Sequence, residues 1–417
     1  MARLRVLIVG ASIAGPAAAY WLTKAGAEVT IIERFPALRS EGGQAVDIRT
    51  AGVTVMRKIP GMEAAVRAHR APIEGIAFVD SKGQSYGTIG ATGSSEQQGL
   101  VSEYEIFRGD LSRILFDLTR DHPRVKYVFG TQISALRQNE DDGTVDVTFT
   151  STLPPSTYDL VVDCSGATSR TRALALNCGV RDHVHPAHSW AAYFSTAKDY
   201  LNASTIGHGY SIPGGLMVAV GQDGKGGNKV TLMGHGEEST RLFREAHGKG
   251  DASLNAYLRA LLDGKGWICQ EVTEEMTTTP DFYASEILQL KLPSLHAGRF
   301  VLVGDAGHAT GPTGFGTSAA LVAAYILAGE VSKSPNDIAA APEGYEQQMR
   351  PLLKEWQKVP PFVQTIMAPQ TGWGIWVRNG VFMVLAKSGL VNFVQSRLAG
   401  AFGRGEDTGL VEYGWAE

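Results

Sequence analysis

Residues 5–15 read Arg5-Val-Leu-Ile-Val-Gly-Ala-Ser-Ile-Ala-Gly15, and this stretch decides the fold. The apolar run from Val6 to Val9 predicts a buried strand that ends at Gly10. Pro16, directly after Gly15, predicts a helix with proline in its first turn. Because the N–H groups at a helix N-terminus have no partners within the helix, this end suits a pyrophosphate.

A second apolar segment, Val29 to Ile32, delivers Glu33 about twenty residues beyond the glycines. A carboxylate at this spacing can bind the ribose hydroxyls of a dinucleotide. Ser12 stands where the usual pattern has its middle glycine, and it is small enough for close backbone approach. The strand, turn, helix and acid together predict a dinucleotide-binding fold. The alternative is a strand–turn–helix unit of an unrelated α/β protein.

The bulk composition is that of a globular protein. The chain has 417 residues, 44% of them hydrophobic, with a net charge of −4, so we expect two lobes and no basic nucleic-acid-binding face. Its three cysteines lack metal-ligand spacing, and we predict no metal site.

No uncharged apolar stretch reaches about 18 residues, and the early apolar run serves as a strand. We therefore expect a cytoplasmic protein without a transmembrane segment. The oligomeric state stays open.

The order of predicted elements gives the architecture. A hairpin-like segment covers 73–90, and four strand-like segments occur between 188 and 235, inside a chain that is α/β before and after them. We predict an α/β fold with a Rossmann-type domain, an inserted antiparallel β-sheet domain for the substrate, and C-terminal helices. The predicted bounds are 1–70, 102–185 and 282–360 for the first, 71–101 and 186–281 for the second, and 361–417 for the third.

A second glycine-rich segment lies at 299–320. Its apolar strand stops at Gly304, which leaves Asp305 at the strand tip, where such sheets bind ligands. Pro312, Gly314 and Gly316 then open a long apolar helix. With these motifs the chain resembles the FAD-dependent aromatic hydroxylases of the p-hydroxybenzoate hydroxylase type, and among them the TetX-like monooxygenases. The resemblance covers most of residues 1–330.

The resemblance implies how FAD is held. Asp305 would bind the ribitol or ribose, the loop from Pro312 to Ser318 would run beside the isoalloxazine ring, and Arg108 would reach the phosphates or ribityl chain. Arg34 would lie along the adenine, and Asp47 would contact the flavin. The predicted cofactor-binding residues are Gly10, Ser12, Ile13, Ala14, Gly15, Glu33, Arg34, Asp47, Arg108, Asp305, Pro312, Gly314, Gly316, Thr317 and Ser318.

The middle motif departs from the family pattern. Relatives carry an Asp-Gly pair after a buried strand, and here Ser165 takes the place of the Asp before Gly166. In the family that carboxylate helps to organise the pyrophosphate and the approach of NADPH. The departure therefore bears on coupling to the reductant more than on FAD binding.

The resemblance also implies the chemistry. NADPH or NADH would reduce the flavin, O2 would form a C4a-hydroperoxyflavin, and one oxygen atom would hydroxylate or epoxidise a bulky aromatic or polycyclic natural product. The flavin performs this step, so we predict no catalytic side chain. Predicted substrate residues are Arg49, Trp190, Phe194, Tyr210, Met217 and His235, although those of the sheet could equally fill its core.

Two other functions remain open on the sequence. One is a flavin oxidoreductase that inserts no oxygen. The other is a redox-inactive binding protein that keeps the FAD fold, which Ser165 favours and which intact Arg108 and Asp305 disfavour.

Overall fold

The computed structural model describes residues 3–39, 43–90, 102–139, 141, 143–334, 337–359, 368–388 and 409–415. The strands are β1 Arg5–Val9, β2 Glu28–Glu33, β3 Ala45–Asp47, β4 Gly75–Val79, β5 Ser85–Gly90, β6 Glu105–Phe107, β7 Val125–Phe129, β8 Ile133–Asn139, β9 Thr144–Phe149, β10 Ser156–Tyr158, β11 Leu160–Asp163, β12 Val184–Thr196, β13 Ile206–Ile212, β14 Leu216–Gln222, β15 Asn228–His235, β16 Tyr283–Leu290, β17 His296–Ala297 and β18 Phe300–Leu302. The α-helices are α1 Ala14–Lys24, α2 Ala51–Arg57, α3 Met62–Ala68, α4 Arg108–Asp117, α5 Arg170–Leu176, α6 Glu237–Gly248, α7 Asp251–Leu262, α8 Cys269–Glu275, α9 Asp305–His308, α10 Gly316–Lys333, α11 Ala341–Trp356 and α12 Gly372–Ser388.

The first sheet contains the predicted strand–turn–helix unit. Its order is β17-β18-β11-β1-β2-β7, and β1 runs parallel to both β2 and β11. Strand β1 is apolar and buried from Val6 to Val9, because it lies in the middle of the sheet with helices packed against it. Strand β18, from far along the chain, pairs in parallel with β11. The predicted α/β fold is confirmed.

The second sheet has seven strands in the order β16-β12-β15-β14-β13-β4-β5. Its pairs are antiparallel except for β13 with β4, which are parallel. Strand β16 pairs with β12 along most of its length. This corrects the boundary predicted between 281 and 282, because Tyr283–Leu290 extends the second sheet rather than the first.

The two faces of the seven-stranded sheet are covered by different parts of the chain. Trp190 and Phe194 point toward α6, α7 and α8, where Trp190 stacks on Phe243 with ring centroids 4.8 Å apart. Met217 and Met233 lie on the other face, near the C-terminal helix α12. Side chains alternate along a strand, so residues of opposite parity reach opposite faces.

Residues 368–388, which include α12, and residues 409–415 are the described parts of the predicted C-terminal segment; 361–367, 389–408 and 416–417 fall outside the described ranges. Within the part of the chain that the structure describes, no helix has the length and apolarity needed to cross a bilayer.

Candidate functional site

The turn between β1 and α1 can be made only with glycine at two positions. Gly10 has φ of 106°, and a Cβ there would lie 2.7 Å from the carbonyl oxygen of Cys164. A Cβ at Gly15 would lie 1.9 Å from the carbonyl oxygen of Gly10. Both side chains would clash with backbone, so the glycines allow helix α1 to begin close against the strand tips.

Helix α1 begins without a polar cap of its own. The residue before the helix is Ile13, whose apolar side chain makes no capping hydrogen bond, and the first turn contains no acidic residue. Arg108 extends toward this end, where its Nη2 donates to the Ser12 hydroxyl at 2.8 Å. Backbone N–H groups and a guanidinium beside one another suit an anion, and phosphate binding by Ser12 and Arg108 stays a prediction.

Glu33 lies at the tip of β2 and fixes the same turn. Its Oε2 accepts the backbone N–H of Ala11 at 2.9 Å, and its Oε1 accepts that of Phe35 at 3.1 Å. Each carboxylate oxygen can accept a further hydrogen bond, so the group can still meet ribose hydroxyls. Arg34 beside it is exposed, with its guanidinium 4.6 Å from the centre of the Phe35 ring.

Asp305 lies at the tip of β18, facing the N-terminus of the long helix α10. Its side chain is exposed to solvent, but protein atoms surround it on most sides, as they surround a group that lines a cleft. This burial raises the pKa of its carboxyl, and the nearby charge of Arg108 opposes the increase. Gly316 is the first residue of α10, and a Cβ placed on it would lie 3.9 Å from Asp305 Oδ1.

A group of predicted residues meets beside the loop that opens α10. Arg49 Nη2 and Nε donate to Asp47 Oδ2 at 2.8 and 3.2 Å, and the Arg49 backbone N–H donates to the Ser318 hydroxyl at 2.8 Å. A Cβ on Gly314 would lie 3.5 Å from Arg49 Nε. The exposed Pro312 and the buried Thr317 flank this group along the same loop.

Several buried polar atoms along this cleft have no hydrogen-bond partner within the described part of the chain. They are Gln44 Oε1, Asp47 Oδ1, Thr50 Oγ1 and Thr310 Oγ1. Unpaired buried polar atoms are costly, so their clustering indicates a polar ligand. The ring edge of a flavin carries donors and acceptors, and the donor set between α1 and α10 therefore fits FAD.

Asp163, which the sequence analysis did not single out, supplies a carboxylate two residues before Ser165. It is fully buried and accepts the Ser165 N–H at 2.9 Å and the Ser165 and Ser169 hydroxyls at 2.6 and 2.5 Å. Burial raises its pKa, and these hydrogen bonds oppose the increase. The signal in the sequence was an acid that closes the apolar strand Leu160–Val162.

The predicted substrate residues divide between the two faces of the second sheet. Trp190, Phe194 and Tyr210 pack toward α6–α8 or the segment beside them, and the Tyr210 hydroxyl donates to the Lys265 carbonyl. These contacts fill the core between the sheet and the helices, which is the alternative that the sequence left open for them. Met217 lies on the opposite face of the sheet, whereas Arg49 lies outside the sheet, between β3 and α2.

His235 lies two residues after Met233 in β15, so both side chains are on the same face of the sheet. Its Nδ1 lies 2.8 Å from the Ser189 hydroxyl. Burial, and then the proximity of His188, lowers its pKa. Met217 packs with two aromatic side chains, Phe78 and Phe382, whose ring centroids are 5.1 Å apart. These three side chains, with Met233, form an apolar lining that we name the Met217 cluster.

Comparisons with known proteins agree with this geometry. A model described as FAD binding domain matches residues 3–210. FAD-dependent monooxygenase asL4 of Sarocladium schorii is 33% identical over 93% of both chains, and monooxygenase CTB7 of Cercospora beticola is 30% identical over 93% of this chain and 94% of its own. The crystal structure of tetracycline destructase Tet(55) superposes with a TM-score of 0.76 and 27% identity, covering 99% of each chain. The similarity extends over nearly the whole sequence.

Proposed function

The chain belongs to the FAD-dependent monooxygenases, and from this we propose that it uses NADPH or NADH and O2 to oxygenate a bulky aromatic or polycyclic small molecule. The resemblance to the TetX-like enzymes, first drawn from separated motifs, is confirmed by the tetracycline destructase structures. FAD is the cofactor, and the enzyme class is that of its relatives.

The observation that carries the proposal is the cleft between the N-termini of α1 and α10. At one end of the cleft, Gly10, Gly15 and Arg108 would contact a pyrophosphate. At the other end, the N-terminus of α10 and the Asp47–Arg49 pair would contact a ring. Asp305 lies between the ends, within the field of Arg108. A dinucleotide flavin has the same order of charged and polar parts.

When bound, FAD supplies the activation of O2 and the transfer of an oxygen atom. The chain supplies binding and charge. Glu33 and Asp305 would accept hydrogen bonds from hydroxyl groups of the cofactor's sugar parts, and Arg108 would offset phosphate charge. The N-terminus of helix α10 would lie beside the ring, where its partial positive charge would stabilise negative charge on the ring.

The substrate would lie against the cofactor-side face of the seven-stranded sheet. The Met217 cluster is apolar and aromatic, and methionine adapts to irregular ring shapes. His235 adds a polar group with lowered basicity on the same face. This lining supports a bulky, largely apolar ring system, a class consistent with the names of the tetracycline destructases among the solved structures.

Asp305→Ala tests the cofactor assignment. Loss of a charged hydrogen-bond acceptor predicts a FAD dissociation constant raised about 100-fold, which corresponds to roughly 3 kcal/mol. Titration of apoprotein with FAD, followed by flavin fluorescence, measures it. Asp263→Ala, at an exposed position after α7, is the matched control and should bind FAD as the unchanged protein does. Stoichiometric, tight FAD in Asp305→Ala would remove Asp305 from the site.

The reaction itself is tested in two steps. NADPH added without oxygen should bleach the bound flavin, and faster with a suitable aromatic compound. Labelled O2 should then place one labelled atom in the product. Flavin reduction with no label in the product would instead establish an oxidoreductase without oxygen insertion, and bound flavin that no nicotinamide reduces would establish a redox-inactive role.

A further inference from the structure

Two carboxyl groups face each other beside the loop that opens α10. Strands β3 and β6 are antiparallel, and Asp47 pairs directly with Glu105 in their register. Directly opposed residues in such a pair place their side chains on the same face, with Cβ atoms about 5 Å apart. Asp47 and Glu105 are therefore close neighbours, and Asp47 forms an ion pair with Arg49 at 2.8 Å.

From this juxtaposition we propose that Glu105 holds a proton at neutral pH and thereby sets the charge beside the flavin ring. Glu105 is then a positioning residue for the reaction, acting through Asp47 and Arg49. The proposal rests on the proposed function, because it assigns the ring of FAD to this end of the cleft.

The charge balance of the group supports the proposal. With both carboxyls ionised, Asp47, Arg49 and Glu105 together would carry −1 in a setting that is largely withdrawn from water. Burial and then the charge of Asp47 raise the pKa of Glu105, the charge of Arg49 opposes both, and the result is a pKa of about 8. Below about pH 8 the protonated Glu105 leaves the group neutral.

The other charged groups around β6 are directed elsewhere. Glu103, two residues before, pairs with Arg67 on α3 at 3.7 Å. Arg70 is exposed and forms a backbone bridge with Ile106. Lys229 lies over the Phe107 ring, 5.5 Å from its centre, and pairs with Asp281 at 3.3 Å. Among the residues that the structure describes, Asp47 and Arg49 are thus the charges that act on Glu105.

The group lies where it can act on the ring. A Cβ on Gly314 would be 3.5 Å from Arg49 Nε and 3.8 Å from Asp47 Oδ2, and Asp47 Oδ1 has no hydrogen-bond partner in the described chain. A ligand over this loop would therefore contact the pair directly. Glu105 behind it would determine whether the ring is next to a neutral group or an anionic one.

The consequence is a link between pH and flavin reduction. The reduced ring carries more negative charge than the oxidised ring, so reduction raises the pKa of Glu105 above its value near 8. Between these two pKa values the oxidised protein has released the Glu105 proton and the reduced protein has regained it. Reduction then takes up an extra proton, and the midpoint potential of the bound flavin falls more steeply with pH above about 8.

The test is the midpoint potential of the FAD-loaded protein from pH 6 to 10, measured by equilibration with a reference dye. The unchanged protein should show the steeper fall above about pH 8, and Glu105→Gln, which cannot ionise, should lack it. Glu103→Gln is the matched control on the same segment and should keep it. Asp47→Asn should move the change of slope to lower pH, because it removes the charge that raises the Glu105 pKa.

The outcomes separate this inference from the proposed function. A protein that takes up no FAD would overturn both. A FAD-loaded protein whose potential shows no change of slope, or in which Glu105→Gln keeps the change, would overturn the role of Glu105 alone. A shift to higher pH in Asp47→Asn would also overturn it.

Discussion

His308 is buried at 1% exposure directly behind the Gly304–Asp305 turn. Its Nε2 accepts the Gly304 backbone N–H at 3.1 Å, which fixes the proton on Nδ1, and Nδ1 has no partner among the described residues. Protonation of Nε2 would break this bond, and burial lowers the pKa of the ring to about 4. His308 therefore holds the turn only in its neutral form.

This predicts that acid weakens the fold through His308. The folded pKa is near 4 and the unfolded value is 6.5, so between these pH values the unfolded chain binds the proton and the folded chain does not. The free energy of unfolding should fall by about 3 kcal/mol as pH drops from 6.5 to 4. Urea unfolding at several pH values measures it.

His308→Gln should be less stable at pH 7.5 but should lose less stability on acidification. His69→Gln, at an exposed position after α3, should lose as much as the unchanged protein does. Equal acid losses in His308→Gln and the unchanged protein would contradict this role.

Asp163 shows what single residues in the sequence can and cannot reveal. The motif comparison predicted a lost carboxylate at Ser165, and the structure places a carboxylate at Asp163 that binds Ser165 and Ser169. A motif compares positions, whereas hydrogen bonding depends on where a side chain reaches. The proximity of Glu105 to Asp47 could not be predicted for the same reason, because the two residues are distant in sequence.

Elements were predicted well where local signals agree. The β1–α1–β2 unit, the β4–β5 hairpin and helix α10 follow from apolar runs bounded by glycine, proline or turn residues. The segment 125–139 forms two strands, β7 and β8, which belong to different sheets. Gly130, with φ of 68°, redirects the chain between them, a change that an apolar pattern does not record.

The faces of the second sheet could not be assigned from alternation alone. Period-two patterning correctly groups Trp190 with Phe194, since both point the same way. It does not say which group the helices cover, because that depends on where α6–α8 pack after the sheet has formed. The packing of these helices is a long-range event that the pattern of one strand does not record.

Helix α10 is held from behind by the segment 409–415, which we name the docked tail. A Cβ on Gly329 of α10 would lie 2.3 Å from the Tyr413 ring, and Tyr413 donates to Glu330 at 2.7 Å. Trp415 packs on Trp21 of α1, with ring centroids 4.8 Å apart. The docked tail thus joins the two helices whose N-termini form the cofactor cleft.

Gly329→Ala should expel the Tyr413 ring and destabilise the protein by about 1–3 kcal/mol, as overpacking does. Gly380→Ala on α12, where a Cβ meets nothing within 4 Å, is the control and should be neutral or stabilising by up to about 1 kcal/mol. Denaturant unfolding measures both. A cost in Gly329→Ala that stays the same when Tyr413→Ala is added would show that the ring is not responsible.

At the scale of the whole molecule, helix α12 contacts strands β5 and β13, which lie more than a hundred residues earlier in the chain. Phe382 packs edge-to-face on Phe78, and Arg378 donates to the Ser211 hydroxyl at 3.0 Å. Burial lowers the pKa of Arg378 to about 10. The C-terminal helix therefore forms one wall of the proposed substrate space.

Phe382→Ala should lower kcat/KM for a stimulating aromatic compound by roughly 10-fold or more, through loss of ring contact in the Met217 cluster. Substrate-stimulated oxidation of NADPH measures it, with flavin content as the internal standard. Val384→Ala, which is 63% exposed on the same helix, is the control. Unchanged kcat/KM in Phe382→Ala would place the substrate elsewhere.

The pairing of β18 with β11 and the packing of α10 on α1 also affect the order in which the chain can fold during synthesis. Helix α1 leaves the ribosome early, but its partner α10 begins only at Gly316. At about 5–20 residues per second, α1 waits on the order of 15–60 seconds for α10. Six of the seven strands of the second sheet are synthesised by His235, so most of that sheet can pair before α10 packs on α1.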